Sequence, residues 1–358
     1  MARKTPLFDA HLSLNGRMVE FAGYELPIQY EKGIIAEHNA VRQACGIFDV
    51  SHMGEVFIEG ENAEKAVNYL ISNDITGMED YSCRYTLMLN DQGGVVDDFI
   101  VYRFNANKYM LVVNASNRQK DFDWINARLP EGAKAFDRSD AFGQVALQGP
   151  NAEKILSRLT NHIPKGFYTF IENAEVAGSK CIISRTGYTG EDGFEIYIPT
   201  SDTQKVYSAL LNTGKDDGLI PCGLGCRDTL RFEAGLPLYG HELSENFLAT
   251  ELGLNMFIKK DKDDFIGKKA VIEKEPRFKK RGAELLDRGI AREGYPVLDE
   301  KGANIGFVTT GTISPTLNKA IAMVRINKDY AQELCYIDCK GRLLKASFVK
   351  TPFYRREG

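Results

Sequence analysis

Two neighbouring carboxylates stand where the sequence predicts a strand. Asp97 and Asp98 follow Gly93 and Gly94, which can supply the positive-φ geometry of a tight hairpin turn. Strand-forming residues surround the pair, and successive side chains of a strand point to opposite faces. One carboxylate is therefore expected to face the interior, where a charge needs a partner or a function. The alternative is that an aspartate near the turn caps backbone N–H groups.

A further carboxylate, Glu195, follows a second glycine-rich segment. The loop 186–193 contains three glycines and leads directly into a strand predicted for 194–198. It lacks the Gly-Lys-Ser/Thr ending of a phosphate-binding loop and precedes a strand rather than a helix, which argues against a nucleotide site. Glu195 is flanked by apolar residues, so it would either pair with an arginine in the core or bind a ligand.

The third candidate is Arg227, at or near the start of a helix predicted for 227–233. The helix dipole disfavours a cation there, which indicates that the guanidinium is committed to an anion or a carbonyl. The alternative is an exposed arginine that tolerates a weak penalty. Two carboxylates, an arginine and nearby tyrosines suit a neutral or cationic heterocycle with several N–H donors, because carboxylates accept bidentate hydrogen bonds.

Other catalytic and metal-binding patterns are hard to assemble from this sequence. The five histidines show no paired metal spacing, and no nucleophile elbow or dinucleotide fingerprint is present. The seven cysteines are odd in number and scattered, which argues against a disulfide framework. The pairs Cys222/Cys226 and Cys335/Cys339 could bind zinc together, but zinc sites usually have tighter spacing, so we predict no metal.

Composition excludes several classes of protein. The chain has 358 residues, which suits two or three domains, and a net charge of −4, which predicts no general affinity for nucleic acid or anionic membranes. No apolar run approaches the roughly 20 residues that span a bilayer. Residues 1–6 have no signal-peptide character, so we expect a cytoplasmic protein.

The predicted elements mix helices and antiparallel strands without a βαβαβ rhythm, which indicates an α+β fold. From residue 289 onward, short strands alternate with turns, as in a small antiparallel barrel or sandwich. Residues 259–281 contain eight lysines and two arginines, half of them offset by acidic residues. This segment is either a solvated linker or a docking surface for an acidic partner.

At these residues the chain resembles the aminomethyltransferases of the glycine cleavage system, the T-proteins, essentially from end to end. The glycine-led blocks 93–98 and 187–193 are highly specific in combination. Further shared segments are 5–7, 18–23, 48–53, 147–150, 184–195, 223–230, 238–240, 265–268, 314–317 and 352–354. The chain departs from the family pattern at Tyr24, Cys226 and 255–257, which affects packing more than the carboxylates.

The resemblance implies a three-domain cloverleaf with a central folate channel, two mixed α/β domains and a C-terminal antiparallel β-barrel. Residues 1–51 plus 140–255 would form a discontinuous folate-binding domain. Residues 52–139 would be an inserted α+β domain carrying the catalytic aspartate. A linker, 256–285, would lead to the barrel domain, 286–358.

The resemblance also implies the reaction. The methylene carbon would pass from aminomethyl-dihydrolipoyl H-protein to tetrahydrofolate, releasing ammonia and forming 5,10-methylenetetrahydrofolate. Tetrahydrofolate would be a co-substrate, the lipoyl group would be carried by the partner H-protein, and no metal, nucleic acid or membrane would be involved. Asp98 would be the catalytic carboxylate. The folate-binding residues would be Glu195, Arg227, Tyr188, Tyr85, Met53, Val113, Asn114, Tyr354 and Arg355, with one of the last two closing the site.

Two other functions occur on this fold. One is a non-catalytic folate-binding factor for iron–sulfur or tRNA maturation, whose Lys-Gly-Cys-Tyr-x-Gly-Gln motif is absent here; 238–241 occupies the comparable region. The other is a folate-dependent demethylase, or a domain of a sarcosine-type oxidase. The oxidases carry a long flavin domain, for which this chain has neither room nor fingerprint.

Overall fold

The computed structural model describes residues 2–356, in which helices are interspersed with runs of consecutive strands. The strands β1 to β20 are Arg3–Lys4, Arg17–Phe21, Tyr24–Gln29, Cys45–Asp49, Gly54–Glu59, Ser82–Leu89, Val95–Asn105, Lys108–Val113, Lys134–Asp137, Phe142–Gln148, Phe170–Val176, Ser179–Ser184, Gly193–Pro199, Leu219–Pro221, Phe278–Leu285, Pro296–Leu298, Asn304–Ser314, Lys319–Asn327, Leu334–Cys339 and Arg342–Val349. The helices α1 to α8 are Phe8–Ser13, Gly33–Gln43, Ala63–Leu70, Arg118–Asn126, Ala152–Leu156, Thr203–Gly214, Leu224–Glu233 and Lys268–Glu273.

The chain divides into two compact units. The first contains the chain up to Leu70 together with Ile75–Thr86 and Asp98–Leu230. The second contains Ile71–Asp74, Leu87–Asp97 and the chain from Arg231 onward. The boundary therefore falls between the two adjacent aspartates, so that Asp97 and Asp98 belong to different units.

A six-stranded sheet of the first unit positions Glu195. Its strand order is β11-β12-β13-β10-β4-β14. Side chains of β13 alternate between two cores: Phe194, Ile196 and Ile198 pack in one, and Tyr197 packs in the other. Because the strand period is two, Glu195 lies on the same face as Tyr197.

A five-stranded sheet, with the order β6-β7-β8-β5-β9, positions Asp98 on β7. Tyr102 and Phe104, four and six residues beyond Asp98 and so on the same face, pack in the core that also contains Tyr197. The faces bearing Asp98 and Glu195 therefore contribute to one shared core of the first unit.

The C-terminal part of the second unit is a closed barrel with the order β15-β18-β17-β16-β19-β20, and all its pairings are antiparallel. Its interior is filled by small and branched side chains, including Ala283, Val308, Val324 and Ile337. The predicted α+β class and C-terminal antiparallel barrel are confirmed. No helix among residues 2–356 is long and apolar enough to cross a membrane.

The segment predicted as a linker, 256–285, contains helix α8 and the first barrel strand, β15. The strand pattern of β15 is difficult to recognise in the sequence, because charged residues occupy its first half, which is only partly buried. Several lysines of this segment bond to backbone carbonyls of the same unit. Lys262 Nζ donates to Ile71 O and Asn73 O at 2.7 Å each, and Lys279 Nζ donates to Tyr330 O at 2.7 Å. These contacts favour a structural role for this part of the basic run.

Candidate active site

The turn before the aspartate pair uses its two glycines differently. Gly93 has φ +82°, the left-handed conformation that favours glycine. Gly94 has no such requirement, but a side chain there would collide with the backbone of Glu245 in the same unit. Asn90 Oδ1 accepts hydrogen bonds from the backbone N–H groups of Gln92 and Gly94, at 3.0 and 2.9 Å. This tight turn fixes the start of β7.

The two aspartates have opposite environments, as strand alternation predicts. Asp97 is fully buried, whereas Asp98 is only half-buried. The exposed fraction makes Asp98 the member of the pair that a ligand could reach. Asp97 is the less accessible of the two.

Asp98 is held by donors from both neighbouring strands. Tyr85 of β6 donates its hydroxyl to Asp98 Oδ2 at 2.8 Å, and Asn114 Nδ2 at the end of β8 donates to Oδ1 at 3.0 Å. Asn114 Nδ2 also lies 3.0 Å from the Asp98 carbonyl oxygen. Burial, followed by the charge of Asp98, raises the pKa of Tyr85, so this phenol remains a donor. Donors from the two flanking strands therefore orient both oxygens of the carboxylate.

Glu195 lies in a more enclosed environment. Thr186 Oγ1 donates to Glu195 Oε2 at 2.5 Å, and Gln144 Nε2 of β10 donates to Oε1 at 3.4 Å. Burial raises the pKa of Glu195, while Thr186 and the charge of Arg227 act in the opposite direction. The carboxylate is thus stabilised by one short hydrogen bond and a nearby cation.

Arg227, near the start of α7, is half-buried and lies over an aromatic ring. Its guanidinium carbon is 4.7 Å from the centre of the Tyr188 ring. Burial lowers the pKa of Arg227, and Tyr188 and Glu195 oppose that change. Arg227 is the fourth residue of α7, which begins at Leu224 rather than at the predicted residue 227, and its charge acts on Glu195 as well as on Tyr188.

Tyrosines link the Asp98 and Glu195 groups. Tyr188 and Tyr168 both lie near enough to Tyr85 to raise its pKa, and Glu195 raises the pKa of Tyr168. Sequence reasoning did not select Tyr168. Strand β11 begins at Phe170, and Tyr168 has φ +61°. A positive φ is uncommon for a bulky residue, and no pattern in the sequence predicts this backbone conformation.

His52 is a second residue near the site that sequence reasoning did not select. It is buried, and its Nδ1 has no hydrogen-bond partner within residues 2–356. Burial and the positive charge of Arg227 lower its pKa to about 4, with Asp49 opposing them. The imidazole is therefore neutral at neutral pH and does not add a second cation to the site.

The remaining predicted residues differ in placement. Met53 is half-buried and packs against two cores of the first unit. Val113 is fully buried and pairs with Gly54 across β5 and β8. Tyr354 and Arg355 belong to the second unit, where Tyr354 N donates to Glu233 O at 2.9 Å and Arg355 is exposed.

One cluster within residues 2–356 has the composition of a metal site. The ligand atoms of Glu37, Cys222 and Cys226 lie within 4.8 Å of one another, all buried. However, the Glu37 oxygens accept the backbone N–H groups of Tyr30 and Gly223 at 2.6 and 2.9 Å. Burial also raises the pKa of Cys222 well above its usual value, which disfavours the thiolate that a metal needs. The cluster serves as a cap for two backbone segments.

Comparisons with known proteins agree along the chain. The GCVT N-terminal domain matches residues 7–262, and the glycine cleavage T-protein C-terminal barrel domain matches residues 280–355. An aminomethyltransferase of Alkaliphilus oremlandii (strain OhILAs) is 48% identical over 369 residues, covering 99% of this chain and 98% of its own. One from Desulfitobacterium hafniense (strain DSM 10664 / DCB-2) is 46% identical over 367 residues, covering 99% of both chains.

A solved structure shows the same similarity in three dimensions. It is the crystal structure of glycine cleavage system aminomethyltransferase T from Bartonella henselae. The TM-score is 0.91 at 29% identity, and the match covers 99% of this chain and 98% of that one.

Proposed function

Since the chain belongs to the aminomethyltransferase family of the glycine cleavage system, the T-proteins, we propose that Asp98 carries its reaction and that Glu195 and Arg227 bind the folate. The chain is a transferase, and its function is that of a glycine cleavage T-protein. In full, we propose that it moves the methylene carbon from the aminomethyl-dihydrolipoyl arm of H-protein to tetrahydrofolate.

The proposed transfer replaces two bonds of one carbon. The carbon loses its bonds to the lipoyl sulfur and to nitrogen, and gains bonds to N5 and N10 of tetrahydrofolate. The two protons displaced from N5 and N10 end on the sulfur, which becomes a thiol, and on the departing ammonia. Positive charge develops on the carbon as ammonia leaves. A fixed anion nearby stabilises that charge and orients the attacking amine.

The observation that supports Asp98 in this role is its combination of orientation and access. Tyr85 and Asn114 hold both carboxylate oxygens, at 2.8 and 3.0 Å, while the side chain is only half-buried. A carboxylate fixed in this way does not have to reorganise when charge develops beside it. Asp97 lacks the exposure that this role requires.

We propose that Glu195 accepts N–H groups of the pterin ring of tetrahydrofolate. A carboxylate can accept two such bonds, and the proximity of Arg227 favours its ionised form. Tyr188, Tyr85, Met53, Val113 and Asn114 would line the folate site, and Tyr354 or Arg355 would close it. The central folate channel and the three-domain division predicted from the sequence belong to this proposal.

The partner in this proposal is lipoylated H-protein, and no further cofactor is required. We also propose a cytoplasmic location. All seven cysteines are free, six of them buried, which suits a reducing compartment.

The test is direct synthesis of the product. Purified protein, H-protein carrying the aminomethyl-lipoyl group and tetrahydrofolate should together yield equal amounts of ammonia and 5,10-methylenetetrahydrofolate. Omitting H-protein should abolish the reaction, and an aryl methyl ether should not replace it as donor. Methyl transfer from the ether would instead assign a demethylase, and folate binding without any product would assign a maturation factor.

A further inference from the structure

A chain of hydroxyl groups lies behind Glu195, inside the first unit. Thr186 Oγ1 is 2.5 Å from Glu195 Oε2, and Ser184 Oγ is 2.7 Å from Thr186 Oγ1. Tyr102 OH is 3.0 Å from Ser184 Oγ and 2.8 Å from Tyr197 OH. All four hydroxyl-bearing residues are buried. The chain therefore has no competing solvent along its length.

The directions of these hydrogen bonds follow from proton counting. An ionised carboxylate only accepts, so Thr186 must donate its single hydroxyl proton to Glu195. Along the shortest contacts, Ser184 then donates to Thr186, Tyr102 to Ser184, and Tyr197 to Tyr102. Ser184 Oγ and Tyr102 OH also have longer contacts of 3.4 Å, to the Glu195 carbonyl oxygen and to Thr186 Oγ1 respectively. Every hydroxyl dipole in the chain points toward the Glu195 carboxylate, and such bonds polarise one another.

We infer that Thr186 is a positioning residue, supported by Ser184, Tyr102 and Tyr197, that fixes the Glu195 carboxylate for the pterin ring of a bound folate. This inference rests on the proposed role of Glu195. Thr186 holds Oε2 at 2.5 Å, whereas the Gln144 contact to Oε1 is long, at 3.4 Å. Oε1 therefore keeps most of its accepting capacity for a ligand.

The surroundings of Glu195 explain why this support is needed. Six groups lie near enough to Glu195 for electrostatic interaction to change its pKa or theirs: Arg227, Glu55, Tyr102, Tyr168, Tyr197 and Cys83. Only Arg227 among them carries positive charge. Burial disfavours the ionised form of Glu195, so the donated proton of Thr186 is the nearest group that offsets this effect.

The test compares Thr186→Val, which removes the hydroxyl but keeps the shape, with Thr186→Ser, which keeps it. The Kd of tetrahydrofolate is measured by anaerobic calorimetry from about pH 5 to about pH 9. At neutral pH, Thr186→Val should raise the Kd about tenfold, as expected for a lost hydrogen bond to a charged group. The KM for folate should rise in parallel, with a much smaller change in kcat.

The pH profile separates positioning from a purely structural role. Without the Thr186 proton the ionised form of Glu195 is less stable, so the loss of affinity at low pH should begin at a higher pH than in the wild type. Thr186→Ser should restore the wild-type profile. Thr200→Val is the control, because that exposed threonine only donates to the Asp140 carbonyl at 2.8 Å; its profile should be unchanged.

Equal weakening at every pH in Thr186→Val, or a serine variant that behaves like the valine variant, would overturn the inference. If the valine variant does not fold, Tyr102→Phe serves instead and should shift the profile in the same direction by less. An unshifted Tyr102→Phe profile refutes the chain. Glu195→Gln separates the two proposals: if it leaves the Kd unchanged, the role of Glu195 fails, whereas weakening there but not in Thr186→Val refutes this inference alone.

Discussion

Two carboxylates of the first unit come from similar sequence and differ in environment. Asp98 and Glu195 each follow a glycine-led segment and each lies on a strand whose side chains alternate between faces. Asp98 is half-buried and is held by a phenol and an amide from the flanking strands. Glu195 is buried, takes a short bond from a threonine and lies near a guanidinium.

This difference indicates a division of labour. A half-buried carboxylate with neutral donors on each side can stabilise a developing cation without losing its orientation. A buried carboxylate beside a cation is better suited to recognition, because its accepting directions are fixed and solvent is excluded. Asp98 would then determine the rate of transfer and Glu195 the affinity for folate.

The largest effect should come from Asp98→Asn. Removing the negative charge that faces the reacting carbon should lower kcat by about 10² to 10³-fold, since preorganised electrostatic groups contribute effects of that size. Folate affinity should change little, because the side chain keeps its shape and its contacts can be retained. Asp91→Asn, an exposed residue of the same hairpin turn, is the matched control and should have wild-type kcat. A near-normal rate in Asp98→Asn would remove Asp98 from the chemistry.

The next effect should come from Glu195→Gln. The neutral amide offers one accepting oxygen instead of a carboxylate, so the Kd for tetrahydrofolate should rise about 10- to 100-fold. Calorimetry or fluorescence quenching measures this directly. Glu172→Gln changes a glutamate that pairs with Lys108 at 2.7 Å and should leave the Kd unaltered. Unchanged folate binding in Glu195→Gln would contradict its role in recognition.

A smaller effect should come from Tyr85→Phe. The variant removes the hydroxyl that donates to Asp98 Oδ2 and leaves that oxygen less well oriented. We expect kcat to fall about tenfold, in keeping with one hydrogen bond to a charged group. Tyr69→Phe, on an exposed tyrosine of α3, is the control. If Tyr85→Phe instead changes only the folate Kd, Tyr85 belongs with the binding group.

The pH dependence of folate binding should sharpen the comparison further. Burial raises the pKa of Glu195, with Thr186 and Arg227 opposing it. Because the ionised form binds, affinity should be full above this pKa and fall as the pH drops through it, by about tenfold per pH unit. The Kd of Glu195→Gln, measured over the same pH range, should not show this loss of affinity at low pH. An identical pH dependence in the two proteins would assign the titration to another group.

Local sequence patterns were sufficient for the features that depend on neighbouring residues. Strand alternation predicted that the two aspartates face opposite sides, although the choice of Asp98 came from the family resemblance, and the glycine pair located the turn at Gly93. The alternation of turns and short strands after residue 289 predicted an antiparallel barrel or sandwich, and the structure has the barrel. These features follow from period and turn chemistry, which a single sequence displays.

Contacts between distant segments could not be read in the same way. Thr186 and Gln144 meet Glu195 because of the registers of β10, β12 and β13, and strand register is not visible in one sequence. Tyr168 was missed because its proximity to Tyr85 and Glu195 arises from the fold and not from a local pattern. The linker bounds implied by the family resemblance include β15, which pairs with β18 and β20 in the barrel through contacts that a single sequence does not display.

The division between the two carboxylates is tested most directly by measuring both quantities on both variants. Single-turnover transfer from charged H-protein at saturating folate gives the rate, and calorimetry gives the folate Kd. Asp98→Asn should lose about 100-fold or more in rate with a Kd within about threefold of wild type, and Glu195→Gln should show the reverse. Equal losses of rate and affinity in Asp98→Asn would contradict this division of roles. So would a slow transfer rate at saturating folate in Glu195→Gln.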